Sequence, residues 1–83
     1  MPHKLLVTQF ERRDEGALLR GAVENRSKTA KAYTVTMDFL DASGAVVQSV
    51  TAEVPPVEPN AMGEFTLEAT APGIVAYKYA PIK

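Results

Sequence analysis

The side chains with the most chemical reach in this sequence are few and widely spaced. Tyr77 and Tyr79 stand two positions apart near the C-terminal end. On a strand that spacing sends both rings to one face. They can then form an aromatic strip of the kind that stacks on a sugar or a protein surface. The plainer reading is a pair that closes the core with its hydroxyls at the rim. Arg26, Lys28 and Lys31 share one polar segment and offer cations to an anionic partner. The plainer reading there is a solvated loop. Catalytic groupings are missing. A serine nucleophile needs a positioned base, and the only imidazole is His3, beside a terminus where chains fray. It reads as an unstructured residue. Ser27, Ser43 and Ser49 fit turns and strand surface, and none lies in a Gly-x-Ser-x-Gly setting.

Paired carboxylates do acid–base or glycosidic work when a cleft holds them together. Asp38 and Asp41 are close in sequence, but their odd spacing along a strand sends them to opposite faces. Asp41 reads as a turn cap. Asp14-Glu15 lacks the alternating acidic spacing of a calcium loop. The glycines are scattered and form no phosphate loop. Met37 reads as core, so Met1, Met37 and Met62 do not assemble a soft-metal site. The expectation is a domain with no catalytic residues, no metal and no cofactor.

The elements that would carry these residues must fit in 83 positions, enough for one domain spanning 1–83. A chain this short buries roughly 60–65% of the surface it exposes when unfolded. Its expected stability is roughly 4–12 kcal/mol. A deep cavity would remove core contacts that such a domain needs. Apolar residues make up 46% of the chain and aromatic residues only 7%, so the core is expected to be thin and mostly aliphatic. Nine Lys and Arg against ten Asp and Glu give a formal net charge of −1. That balance argues against electrostatic capture of nucleic acid. No Cys is present, which removes disulfides, thiolate nucleophiles and zinc ribbons. No apolar run approaches the roughly 20 residues of a membrane-spanning helix. The opening Met-Pro-His-Lys-Leu-Leu-Val turns polar too soon for a signal peptide. Either the protein is cytoplasmic, or the sequence is a domain separated from its targeting segment.

Period-two alternation, broken by turn residues about every ten positions, predicts a sandwich or barrel of short strands. Strands are expected over 4–11, 17–25, 32–40, 45–53, 62–69 and 74–80. The third has the clearest pattern, with Tyr33, Val35, Met37 and Phe39 on one face and Thr34, Thr36, Asp38 and Leu40 on the other. A one-residue slip would bury Asp38, so the alternation also fixes register. Gly21 on the apolar face of the second strand predicts close approach by a neighbouring backbone or ring. Asp41-Ala42-Ser43-Gly44 reads as a hairpin turn. Pro59-Asn60 suits a type II turn with Asn at positive φ. A seventh short strand is open at 54–57 or after Pro81. Leu18, Ala22, Leu40, Ile74 and Ala76 fall on faces read as outward and would form an apolar patch if clustered. Six or seven short antiparallel strands fit an all-β, immunoglobulin-like sandwich.

The middle of the chain resembles the FxLYD-type domain family, small β-sandwich modules of bacterial and archaeal proteins. Gly21-Ala22-Val23-Glu24-Asn25-Arg26-Ser27 is similar to the family's Gly-x-Val-x-Asn-x-Ser run. Val35 to Val47, with Phe39-Leu40-Asp41 and Gly44-Ala45-Val46-Val47, is similar to its alternating strand, Phe-Tyr-Asp and Gly-x-Val-Val hairpin. Val57-Glu58-Pro59-Asn60-Ala61, followed by Phe65, resembles its Leu-x-Pro-Gly-Glu turn and next strand. Leu40 stands where Tyr is usual, Asn60 where Gly is, and Ala61 where Glu is. The resemblance implies a non-catalytic domain attached to cell-envelope or secreted proteins, with no common ligand and no functional residues to carry over. It favours an extracytoplasmic location over a cytoplasmic one.

The function expected is therefore a non-enzymatic interaction or structural accessory module with a protein partner. Self-association through an edge strand is a further option. The alternative is a carbohydrate-type ligand domain built on Tyr77 and Tyr79.

Overall fold

Residues 31–40 carry the alternation that organises the molecule. A strand's two-residue period sends Tyr33, Val35, Met37 and Phe39 to one face and Thr34, Thr36, Asp38 and Leu40 to the other. The computed structural model describes residues 3–80, the last through its backbone alone. In it the four apolar residues are buried, three of them completely, while the alternate set is half-buried. Six strands form: β1 (His3–Arg13), β2 (Glu15–Asn25), β3 (Lys31–Leu40), β4 (Val46–Val57), β5 (Met62–Pro72) and β6 (Ala76–Ala80). They make two three-stranded sheets, ordered β1-β2-β5 and β4-β3-β6, with every pairing antiparallel. No helix occurs among the described residues. The all-β expectation holds, with six strands.

Each expected strand shifts at one or both ends, and two of the shifts bear on the topology. Residues 54–57 continue β4 instead of forming a seventh strand. Because β4 is a sheet edge, Pro55 and Pro56 can sit there without breaking an interior ladder. The last strand begins at Ala76, not at residue 74. The other candidate for a seventh strand, after Pro81, lies outside the described residues.

Both sheets contribute to a single core. It joins Leu19 and Val23 of β2, Val35, Met37 and Phe39 of β3, Val54 of β4, and Phe65 and Leu67 of β5. Gly21 lies opposite Phe65 in the β2–β5 register. A Cβ there would stand 2.6 Å from the Phe65 ring and closer still to the Leu6 carbonyl. The ring occupies the space a side chain would need, as the sequence pattern anticipated. Asn60 takes the expected positive φ of 67°. Asp41 closes the β3–β4 hairpin as expected. Its Oδ1 accepts from the Ser43 and Ala45 backbone N–H groups at 2.9 and 3.1 Å and from Ser43 Oγ at 2.6 Å. The Ser43 hydroxyl, followed by the backbone donors, holds the Asp41 carboxyl below its ordinary value.

Other expectations are corrected. His3 is not frayed: it opens β1, half-buried, with its ring 5.7 Å from that of Tyr33. The proposed outward apolar patch does not form. Ile74 belongs to the core. Leu18 and Ala22 lie on the outer face of β2, but strands on both sides leave them 5% and 6% exposed. Leu40 and Ala76 are half-buried. A central strand shields its outer face far more than alternation alone suggests. Among the described residues, the large apolar ones that are exposed are Val46, Val47, Met62 and Tyr77.

Candidate functional site

Tyr77 and Tyr79 are placed by the β3–β6 register, which sets them opposite Phe39 and Met37. Both partners are core residues, so the tyrosines share the inner face of their sheet. Tyr79 is half-buried against the core. Tyr77 lies farther out, 36% exposed, where the flank of the sandwich opens. Its ring meets Phe10 edge-on at 4.8 Å, and Phe10 stacks on Phe39 at 6.5 Å. The two tyrosines therefore form no flat outward platform. They wall the gap between the β1 and β6 edges.

Phe10 reaches this cluster because β1 is irregular between Val7 and Gln9. The extra residue changes the phase of the strand, so Phe10 follows Leu5 and Val7 toward the core despite its even number. Thr8 sits at the irregularity and donates its hydroxyl to the Arg20 carbonyl at 3.2 Å. Sequence inspection overlooked Phe10. The broken spacing Leu5, Val7, Phe10 was the available sign.

The cations occupy a different place. Arg26 and Lys28 lie in the loop between β2 and β3, and Lys31 opens β3; all three are exposed. Arg26 Nε is 2.6 Å from Glu24 Oε1, so its charge is already matched. Lys31 precedes Phe39, the partner of Tyr77, by about 26 Å of strand at roughly 3.3 Å per residue. The structure does not bring the cations and the tyrosines into one site.

Below the cationic loop lies the most connected polar side chain of the domain. Asn25 is fully buried. Its Nδ2 donates to the carbonyls of Thr29 and Val57 at 2.9 and 2.7 Å. Its Oδ1 accepts from the Ser27 N–H and hydroxyl at 2.8 and 2.6 Å. Its own N–H donates to the Ala61 carbonyl, and its carbonyl accepts from the Asn60 N–H. The side chain thus ties the end of β2 to the following loop and to the end of β4, and the backbone of the same residue ties it to the β4–β5 turn. This is a structural clasp with no open coordination or reactive atom. The signal in the sequence was Asn-x-Ser directly after a buried strand, a spacing that allows an Asx turn.

Two surface clefts are formed by described residues. One, of about 410 Å³, lies between the β1–β2 hairpin and the segment after β5, lined by Arg12, Arg13, Asp14 and residues 73–75. The other, of about 210 Å³, lies beside the β1 irregularity and includes Arg20, Glu64 and Thr66. Neither contains Tyr77, Tyr79, Arg26, Lys28 or Lys31. Among the described residues no group of three or more His, Cys, Asp or Glu could hold a metal ion. No helix there is long and apolar enough to cross a membrane.

The sheet edges differ in a way that bears on binding. β1 carries its irregularity and the charged run Glu11-Arg12-Arg13. β4 carries Pro55 and Pro56. The end of β5 is capped from the other sheet: Gln48 Oε1 accepts from the backbone N–H groups of Thr70 and Ala71 at 2.8 and 2.9 Å. Within Ala76–Ala80, β6 has no proline and no register irregularity, and among the described residues it is ladder-bonded to β3 alone. Prolines, bulges, caps, edge charges and short length are the means by which edges are kept from pairing with other chains; β6 shows the last two, through Lys78 and its five-residue span. No family model, curated protein or solved structure compared with this chain matches it.

Proposed function

We propose that the domain is a non-catalytic interaction module that engages a protein partner by strand addition along the outer edge of β6. The observation that carries this reading is the contrast between edges: β1 carries a bulge, β4 two prolines and β5 a side-chain cap, whereas β6 has neither proline nor bulge and flanks the partly exposed ring of Tyr77. A strand laid there would gain main-chain hydrogen bonds and cover the aromatic gap. The pairing of β2 with β5 and of β3 with β6 supports an immunoglobulin-like relation, since the B–E and C–F pairs of that fold are joined the same way. The FxLYD-type resemblance supports a place in a bacterial or archaeal cell-envelope or secreted protein. Tyr77 and Tyr79 lie on the inner face of their sheet, so they offer sugar binding no flat outward platform.

Photocrosslinking in the native host tests the proposal. A benzophenone amino acid at position 77 is expected to capture a protein. The same probe at position 51, on the outer face of β4, is expected to capture much less. No adduct at position 77, or equal yields at both positions, would overturn it.

A further inference from the structure

The strand that forms the open edge reads the same in both directions: Ala76-Tyr77-Lys78-Tyr79-Ala80. We propose that the occupant of this edge is a second copy of the chain, paired antiparallel through β6 about a two-fold axis at Lys78. This rests on the reading of β6 as the docking edge and names the partner.

An isologous interface requires each surface patch to complement itself. A palindromic strand meets that demand residue by residue. Centred on Lys78, the register sets Ala76 against Ala80 of the other copy, Tyr77 against its Tyr79, and Lys78 against its Lys78. In an antiparallel pair alternate residues direct their backbone groups to the same neighbour. Whichever set β6 turns away from β3, the same set faces it from the other copy, so the ladder closes symmetrically.

The side chains agree with this register on both faces. On the inner face, tyrosines meet tyrosines, and Phe10 already flanks Tyr77. Aromatic cross-strand pairs are among the favourable ones. On the outer face, two lysines would meet, which alone is unfavourable. Each lysine, however, has Asp38 of its own β3 on its other side in register. The row across the joined sheets is then Asp38, Lys78, Lys78, Asp38, with no net charge. The two β4-β3-β6 sheets would become one continuous sheet.

Five residues a side make a small interface. Small interfaces of this kind belong to weak, transient assemblies. The expected Kd lies between about 10 μM and 1 mM.

Sedimentation velocity and amide chemical shifts across a concentration series to 1 mM test the proposal. Shifts are expected to move with concentration in residues 76–80 and not along β1 or β4. Lys78 is exposed, so its substitution leaves the core intact. Lys78→Glu places four acidic groups in one row and is expected to weaken association at least tenfold. Lys78→Thr removes the lysine–lysine contact and is expected to strengthen it. Circular dichroism and melting temperature confirm that both variants fold.

The absence of native cysteine allows an independent measurement. Lys78→Cys is expected to form a symmetric disulfide dimer under oxygen with a copper catalyst, and Thr51→Cys is not. A wild-type chain that stays monomeric at 1 mM would overturn the proposal. So would a dimer indifferent to Lys78→Glu, or equal disulfide yields at both positions. If the chain stays monomeric yet crosslinks at position 77 to a different protein, self-pairing fails and the broader interaction reading survives.

Discussion

Replacing Asn25 by Ala is expected to cost about 3–5 kcal/mol, a large share of the roughly 4–12 kcal/mol available to a domain of this length. The magnitude follows from where each bond lies. The bond to the Val57 carbonyl is buried, so its loss strands an acceptor away from water at about 1–3 kcal/mol. The bonds involving Thr29 and Ser27 are part-buried, and water can replace some of them. Each is worth about 0.5–1.5 kcal/mol net. Ser27 Oγ keeps its bond to the Thr29 carbonyl at 2.8 Å, which limits the loss at that hydroxyl. Urea denaturation reads the effect as a lower midpoint with an unchanged slope.

Asn25→Asp separates the hydrogen-bond argument from mere volume. It keeps the shape but turns a second oxygen toward the carbonyls that now accept from Nδ2. At neutral pH it should be at least as damaging as Ala. Burial and those carbonyls raise the folded-state pKa of the new carboxyl above its unfolded value. The folded state then binds more protons, so the variant should gain stability relative to wild type as pH falls through that raised value. An Ala variant losing less than about 1 kcal/mol would refute the clasp, since that is the size of one ordinary hydrogen bond. An Asp variant as stable as wild type at pH 7 would refute it too.

Other consequences can be measured in the same way. Gly21→Ala should lose about 2 kcal/mol or more, because the new methyl meets the Leu6 carbonyl and the Phe65 ring at once; a wild-type melting temperature would contradict the close packing. Tyr33 buries a hydroxyl that has no hydrogen-bond partner among the described residues, so Tyr33→Phe should be neutral or stabilising by up to about 1–2 kcal/mol. A clear loss of stability in that variant would reveal a hidden partner. Asp41, its pKa lowered chiefly by the Ser43 hydroxyl, stabilises the fold above its unfolded value near 3.8 and loses that contribution as pH falls through its lower folded value. The stability gap between wild type and Asp41→Asn should thus be flat near neutrality and shrink only in acid. Gln48→Ala frees the N–H groups of Thr70 and Ala71, and hydrogen exchange there should quicken at least tenfold while Leu19 and Val35 stay protected.

How much of this was legible in the sequence depended on whether the signal was local. The faces of β3 and the inward set of Phe65 and Leu67 followed from alternation, because one buried face is enough to fix a strand. The Asp41 hairpin and the positive φ of Asn60 followed from residue types that make turns within their own span. What escaped were effects that need a neighbour from elsewhere in the chain. Leu18 and Ala22 were read as outward, and they are, yet the strands on either side bury them. His3 lies in a strand because β1 extends to pair it with Asn25. The reach of Asn25 to Val57, across 32 residues, leaves no periodic trace.

The same topology decides where the domain is firm and where it is available. Asn25 joins three segments at the end where β2 and β4 finish, so that end opens only if several backbone bonds break together. β6 is different. It is five residues long, pairs with one strand, and is led in by buried Ile74 and by the Val75 N–H bonded to the Leu40 carbonyl at 2.9 Å. As the shortest of the four edge strands it is expected to open at the lowest free energy. It is also the strand for which a new neighbour adds most, because every main-chain bond formed on its outer edge closes a ladder that the fold left unfinished. Binding at β6 and stability of β6 are thus one quantity: an occupant that pairs with this edge must slow its amide exchange, and a ligand that binds elsewhere has no reason to.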